Sequence, residues 1–343
     1  MGYNVAIVGA TGVVGQELIT LLEQRKFPVD KIKLLASARS AGKTMEFGQQ
    51  TVEIEEATTE AFAGIDIAFF AAGGSISAAL APAAVEHGAV VIDNTSNFRL
   101  EPDVPLVIPE VNSDDLTWHK GIIANPNCST IIMAVVLAPI YQAAGLKRVV
   151  TSTYQAVSGA GAAAMTELDQ QVREYLDGTQ PTAQVLPVAS LPRHYQIAFN
   201  LIPQIDVFED GGYTKEEWKM IKETRKIFHL PELPITATTV RVPVFRCHSL
   251  SLNIETEKKL TVSEARELLS TYPGISVIDE PASQSYPMPS VLSGTDDVYV
   301  GRIREDDSVA CGLNLWVVAD QIRKGAALNS VQIGEELIRR GLV

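Results

Sequence analysis

A cysteine at a turn that opens an apolar helix is the arrangement in this sequence best suited to chemistry. Asn125-Pro126-Asn127 is turn-forming, Cys128 follows, and Ser129-Thr130 lead into the apolar run Ile131 to Leu137. The free backbone N–H groups and positive dipole end of a helix N-terminus favour a thiolate and any oxyanion formed beside it. Ser and Thr are natural first-turn residues. Cys128 is therefore the candidate nucleophile. A buried structural cysteine at a helix start is the alternative that this stretch alone leaves open.

Such a residue needs a reaction partner, and the N-terminus suggests one. The strand-like run Tyr3 to Val8 enters Gly9-Ala10-Thr11-Gly12-Val13-Val14-Gly15, and a helical pattern follows through Leu18, Leu21 and Leu22. Strand, glycine turn and helix form the context of a dinucleotide fingerprint, here spaced G-x-x-G-x-x-G. Gly9 would make the tight turn, Gly12 would admit a pyrophosphate, and Gly15 would let helix and strand pack closely. The second strand, Lys33 to Ala36, runs into Ser37-Ala38-Arg39-Ser40-Ala41-Gly42-Lys43. No Asp or Glu lies between Leu34 and Lys43 to bind a ribose 2′-hydroxyl, whereas hydroxyls, a guanidinium and an ammonium suit a 2′-phosphate. NADP is favoured over NAD, with a solvated basic loop as the alternative.

The elements that must position these groups read as α/β. The chain has 343 residues, enough for two cores, and its net charge of −13 argues against nucleic acid or an anionic membrane as partner. No run is long enough to span a membrane, and no basic n-region precedes the first strand, so a cytoplasmic enzyme is expected. Three scattered cysteines and five scattered histidines show neither disulfide nor metal-ligand spacing, so no metal is expected. Residues 1–125 alternate buried strands with helices; Ile65 to Ala72 and Ala89 to Asp93 each end in a polar loop that should face the cofactor. Beyond Cys128, the alternating runs Arg148–Gln155, Thr238–Val244 and Leu250–Glu255 suggest an α+β domain with an antiparallel or mixed sheet. A helix should begin in the Ala-Gly-rich run 159–165 and continue near Val172. Residues 177–210 should include long loops, and Lys324 to Arg340 should form an amphipathic helix.

Taken together, these stretches resemble the bacterial aspartate-semialdehyde dehydrogenases over nearly the whole chain. The matching segments are Gly9 to Gly15, Ser37 to Lys43, Asn125 to Ile131, Gln155 to Gly161, Lys215 to Lys219, Arg241 to Val244 leading to His248, and Asp320 to Gly325. One departure is Cys247-His248-Ser249-Leu250, where the family usually has Gly before the histidine and an acidic residue at the last position. The resemblance implies a Rossmann-like NADP-binding domain of residues 1–126 and 320–343, and a catalytic and dimerisation domain of residues 127–319. It implies interconversion of L-aspartate 4-semialdehyde plus phosphate with L-4-aspartyl phosphate. That reaction belongs to lysine (through diaminopimelate), methionine and threonine biosynthesis. A homodimer is implied, with a tetramer as a further possibility.

Residue by residue, the resemblance makes Cys128 the thioester-forming nucleophile. His248 would be the general acid/base, since imidazole exchanges a proton near neutral pH; a satisfied strand histidine is the alternative. Gln155 would orient the substrate or a water. Arg241 would grip the α-carboxylate with two parallel N–H bonds and Glu216 would accept from the α-ammonium. Arg99 and Lys219 would bind phosphate, with Asn127 as a neutral contributor. Arg99 in a surface ion pair, and Glu216 with Lys219 in an exposed helical one, are the plainer readings. The cofactor would lie on Gly9, Thr11, Gly12, Val13, Val14, Ser37, Arg39, Ser40, Ser158, Gly159 and Gln321. Two rival readings are N-acetyl-γ-glutamyl-phosphate reductase, which gives Glu216 no ammonium to meet, and a noncatalytic NADP-binding sensor.

Overall fold

The apolar residues Val5 to Val8 form the centre of strand β1 (Tyr3–Val8), and all four are buried. A computed structural model describes residues 2–343, which divide into two units, 2–127 with 325–343, and 128–324. In the first unit β1 is followed by α1 (Val13–Gln24), β2 (Val29–Ala36), β3 (Thr44–Phe47), β4 (Gln50–Glu56), β5 (Ile67–Phe70), α2 (Gly74–Glu86), β6 (Val90–Asp93), α3 (Pro109–Asn112) and β7 (Ile122–Ala124). The sheet order is β3-β4-β2-β1-β5-β6-β7. Only the β3–β4 pair is antiparallel among its neighbours. Strand order reverses on either side of β1, with β2 on one flank and β5 on the other, which creates the crevice where such sheets bind ligands. The sequence reading had not separated out the β3–β4 hairpin: β3 alternates exposed and half-buried residues at the sheet edge and β4 buries only Ile54, so little apolar patterning marks them.

The first unit closes with the helix Leu328–Arg340, whose Leu328, Val331, Ile333 and Leu337 join Leu18, Leu21 and Leu22 of α1 in one core. The helix begins four residues later than expected, because Arg323–Ala327 forms a wider π-type turn. It also buries polar residues. Asn329 donates to the Asn125 side chain at 2.7 Å and to the Val107 carbonyl at 3.0 Å, and Ser330 donates to Asn94 at 2.8 Å.

In the second unit the elements are α4 (Cys128–Ala144), β8 (Arg148–Gln155), α5 (Ala162–Leu176), α6 (Lys215–Ile227), β9 (Ile235–Arg241), β10 (His248–Glu255), α7 (Val262–Thr271), β11 (Ile275–Val277), α8 (Pro289–Leu292), β12 (Val298–Asp306) and β13 (Gly312–Ala319). The mixed sheet runs β11-β12-β13-β10-β8-β9. Its β8–β9 and β11–β12 pairs are parallel and the other three antiparallel. Helix α4 is buried without a break from Ser129 to Ile140, as its apolar run requires, and packs against α6, α7, β12 and β13. The loops after α5 are held by two buried polar side chains of that helix. Glu167 accepts from the backbone of Gln184, Val185 and Leu186, and Gln171 accepts from Ile197 and Ala198.

The sequence reading put the boundaries at 126/127 and 319/320; here they fall at 127/128 and 324/325. The second difference has a local cause. Asp320 accepts from the Gly294 N–H at 2.7 Å and Gln321 accepts from the Cys247 N–H at 2.9 Å, which ties the start of the return segment to the second unit.

Candidate functional site

In the first unit, a cavity of about 480 Å³ opens at the ends of β1, β2, β4 and β5. Its walls are Val8, Gly9, Thr11 and Gly12, the turn Ala36-Ser37-Ala38, Glu56-Ala57, and Ala71 to Gly73 with Ile76. Gly9 has φ 87°, and a Cβ there would stand 2.8 Å from the Ala71 carbonyl and the Ala72 nitrogen. A Cβ on Gly15 would collide with the Gly9 carbonyl oxygen, so this glycine sets how closely α1 approaches the loop. Among the described residues no side chain caps α1. The backbone N–H groups of its first turn, which include those of Val13 and Val14, therefore suit an anion.

A dinucleotide fits these walls: Gly9 and Gly12 carry no side chain where a pyrophosphate must approach, and Ser37 follows the strand β2 beside them. Arg39 and Ser40 belong to the adjoining turn, closed by a Ser40 N–H bond to the Ser37 carbonyl at 2.8 Å, and do not form the wall. Among the wall residues not expected from the sequence, one is charged. Glu56 ends β4 opposite Ala36 of β2, so an acidic residue from a neighbouring strand lines the cavity although the Leu34–Lys43 stretch holds none. Only the strand pairing reveals it.

Sheet register assembles the second cluster. Gln155 pairs with Arg241 across β8–β9, and Ser249, next to His248, pairs with Tyr154 across β8–β10. The last residues of two strands and the first of an antiparallel third thus meet at one end of the sheet. All three are buried: Gln155 is 1% exposed, Arg241 3% and His248 0%. Glu216 comes from the first turn of α6, which is set by a capping box between Thr214 and Glu217. Glu217 also accepts from the Thr239 N–H at 2.9 Å, which fixes that turn to β9. Gln155 Nε2 donates to Glu216 Oε1 at 3.2 Å, and Lys219 Nζ lies 3.2 Å from Glu216 Oε2. The Glu216–Lys219 pair is not the exposed surface bridge of the plainer reading, since Glu216 is 4% exposed. Lys219 has a second partner the sequence did not indicate, Asp206, at 2.9 Å.

Ala156 anchors the two cationic-type side chains by its backbone. Its carbonyl accepts from Arg241 Nη1 at 2.7 Å and its N–H donates to His248 Nδ1 at 3.2 Å. Burial draws Arg241 below the usual guanidinium range, while Glu216 and Cys128 act in the opposite direction. Burial, and then the Arg241 charge, hold His248 well below 6.5. Its ring is neutral at neutral pH, which narrows the expectation that it exchanges protons there. Cys128 is the first residue of α4 and is partly exposed.

Ser158, Gly159 and Gln321, expected at the cofactor, belong to the second unit, where Gly159 lies against the histidine and the other two are bonded to each other. Gly159 is backed by Arg241 Nη1 and His248 Nε2, which a Cβ there would approach to 2.9 and 3.1 Å. Gln321 bridges the Cys247 N–H and the Ser158 hydroxyl, at 2.9 and 2.5 Å. Cys247 adopts φ 74°, a backbone conformation that favours glycine. Arg99, in the first unit, is buried rather than in a surface ion pair, and donates to the carbonyls of Asn125 and Asn94 at 2.9 and 2.8 Å. Asn127 is also buried. Among the described residues, no cluster of three or more His, Cys, Asp or Glu could hold a metal, and no helix is long and apolar enough to cross a membrane.

Comparison with known proteins gives a consistent result. Residues 4–119 match the NAD-binding domain of semialdehyde dehydrogenases and residues 137–324 match the dimerisation domain. The chain is 54% identical over 347 residues to an aspartate-semialdehyde dehydrogenase of Aquifex aeolicus, with all of both chains covered. It is 53% identical to that of Bacillus subtilis, covering all of this chain and 99% of the relative. A crystal structure of aspartate semialdehyde dehydrogenase II from Vibrio cholerae, complexed with ASA, superposes with a TM-score of 0.94 at 46% identity over 99% of each chain.

Proposed function

The chain belongs to the aspartate-semialdehyde dehydrogenase family, and we propose from this that it interconverts L-4-aspartyl phosphate and L-aspartate 4-semialdehyde through a thioester on Cys128. The observation that carries the reading is the buried meeting of Gln155, Arg241 and His248 at one sheet end, with Glu216 bonded to Gln155. Cys128 attacks the acyl carbon, and phosphate leaves with the electron pair of its C–O bond, so one hard step becomes two easier ones. The N-terminus of α4 and the Arg241 charge favour the thiolate. When bound at Gly9, Thr11, Gly12 and Ser37, with Arg39 toward its 2′-phosphate, NADP(H) supplies or accepts the hydride. Arg241 answers the α-carboxylate and Glu216 the α-ammonium, while Gln155 orients both Glu216 and the substrate. His248 Nε2 meets the acyl oxygen. The candidate phosphate ligands are Lys219 in the second unit, and Arg99 with the neutral Asn127 in the first.

Lysine, methionine and threonine synthesis and a cytoplasmic location follow from the same reading. A homodimer through the second unit is supported by its exposed apolar side chains, Tyr175, Leu176, Phe199 and Leu201. Neither rival reading is favoured, since full-length relatives at about half identity are aspartate-semialdehyde dehydrogenases. The test is phosphate-dependent reduction of NADP with the semialdehyde, alongside Cys128→Ala. Turnover that vanishes in the variant while NADP binding persists supports the thioester; turnover retained by the alanine variant removes it.

A further inference from the structure

We propose that Asp206 is a positioning residue for the substrate's α-ammonium: it draws the Lys219 charge off Glu216 and so keeps that carboxylate for the amino group. The inference rests on the reading of Glu216 and Arg241 as the groups that hold the amino-acid end, and it adds a residue which that reading lacks. Lys219 Nζ lies 2.9 Å from Asp206 Oδ2 and 3.2 Å from Glu216 Oε2, so the shorter of these two ion pairs is the one with Asp206. Both pairs are sheltered. The Lys219 side chain is 19% exposed, that of Asp206 29% and that of Glu216 6%, so solvent screens them less than it screens a surface bridge.

Charge balance gives Asp206 its importance. Glu216 answers to two cations: Lys219 at its Oε2, and Arg241, whose charged form it favours. One carboxylate held by two fixed cations has little attraction left for a third. With Asp206 included, the charges of Glu216, Arg241, Lys219 and Asp206 cancel, as do those of the α-carboxylate and α-ammonium they receive. Without Asp206 the group carries an excess positive charge, which favours the carboxylate and repels the ammonium.

The backbone builds Asp206 into this place. Ile202 and Arg241 exchange two backbone bonds, at 3.1 and 2.8 Å, which pin one end of the Asp206 loop to the end of β9. The Lys215 N–H donates to the Val207 carbonyl at 2.8 Å, which pins the other end to the first turn of α6, where Glu216 sits. Between these anchors Gln204 Nε2 donates to the Asp206 carbonyl at 3.2 Å, and Asp206 Oδ1 accepts from the Val207 N–H at 2.9 Å. Asp206 has φ 68°, a left-handed conformation that Asp and Asn adopt more readily than most residues. The turn and the ion pair thus use different oxygens of one carboxylate, Oδ1 for the backbone and Oδ2 for Lys219.

Asp206→Asn separates the charge from the turn, because an amide oxygen still accepts from the Val207 N–H and asparagine tolerates this φ. At one fixed phosphate concentration, kcat/KM is measured for L-aspartate 4-semialdehyde and for 4-oxobutanoate, the same aldehyde without its amino group. The ratio of the two values does not depend on how much of a preparation is folded. In Asp206→Asn it should fall by about five- to tenfold, the size of the coupling within one salt-bridge network. Asp206→Gly, which adopts a left-handed φ without strain, should show the same fall. A ratio within twofold of wild type in either variant overturns the proposal, whether both aldehydes suffer equally, as a purely structural role requires, or only KM for phosphate moves. If the wild-type protein fails to turn over the semialdehyde, or shows no preference for it over 4-oxobutanoate, the reading of the site falls and takes this proposal with it. A wild type that prefers the aminated aldehyde, with variants that keep the preference, removes Asp206 alone.

Discussion

Gly159→Ala adds one methyl group at the point where two side chains of the site converge. The new Cβ would lie 2.9 Å from Arg241 Nη1, 3.0 Å from His248 Cε1 and 3.1 Å from His248 Nε2, all inside the 3.4 Å at which ordinary contact begins. A long surface side chain would simply swing away. Here both neighbours are buried and both are tied to Ala156, by bonds of 2.7 and 3.2 Å, so each must retreat a few tenths of an ångström against a fixed partner. Over-packing of this kind costs about 1–3 kcal/mol. If that cost falls on the groups that meet the transition state, kcat/KM drops by about 5- to 150-fold, at about 1.4 kcal/mol per factor of ten. Folding should hardly notice. Gly159 does not occupy the left-handed region, and Gly→Ala at a compatible backbone lowers unfolded-chain entropy by about 0.4–1 kcal/mol, offsetting part of the strain. Steady-state kinetics with both substrates, paired with calorimetric Tm, measures the two effects separately. A kcat/KM within twofold of wild type would refute the tight cradle, and so would an activity loss accompanied by a fall in Tm of more than about 10 °C.

Arg39→Ala should raise KM for NADP by about ten- to a hundredfold, the worth of a charge-assisted bond of about 1.5–3 kcal/mol, and should leave KM for NAD nearly unchanged; equal effects would show that the loop does not read the 2′-phosphate. His248 should make the fold acid-sensitive. Above pH 6.5 the ring is neutral in both folded and unfolded chains, but below it the unfolded chain takes up a proton that the native ring resists until its much lower folded pKa is passed. Stability in that window should therefore fall by up to about 1.4 kcal/mol per pH unit relative to His248→Gln, and denaturation midpoints at pH 7.5 and 5.5 that leave the gap between the two proteins constant would contradict it. Alkylation at pH 8 should label Cys128 and spare Cys247, whose thiol is buried and held near 12; peptide mapping reads the outcome. Thr214→Ala removes the side-chain half of the box that starts α6 and should cost about 1 kcal/mol of stability, measured by denaturant titration, with a rise in substrate KM because Glu216 sits in the loosened turn.

Local chemistry alone determined a good part of this protein. Gly9, Gly12 and Gly15 between an apolar strand and a leucine-patterned helix define a turn whose geometry few other residues allow, and a dinucleotide loop could be read from ten or so consecutive positions. Cys128 at the head of an apolar run was legible for the same reason, since capping, dipole and burial preferences act within one or two turns. The identity of Gln155, Glu216, Arg241 and His248 came from the family pattern; nothing in their own neighbourhoods marks them as partners. What brings them together is register, which pairs Gln155 with Arg241 and sets the start of β10 beside the end of β8. Register is decided by which faces of whole strands can be buried at once, a property of the entire sheet.

The same distinction explains the residues that the sequence did not reveal. Glu56 lines the cofactor cavity because β4 adds beside β2 out of chain order, and Asp206 reaches Lys219 from a loop with no periodicity to read. Ala156 carries no functional side chain at all. Its importance lies in one N–H and one carbonyl, groups that every residue except proline possesses, aimed by the turn at the end of β8 toward His248 and Arg241. A sequence records which side chains are present and which local conformations they prefer. Where a backbone amide points is decided only when distant strands have closed around it.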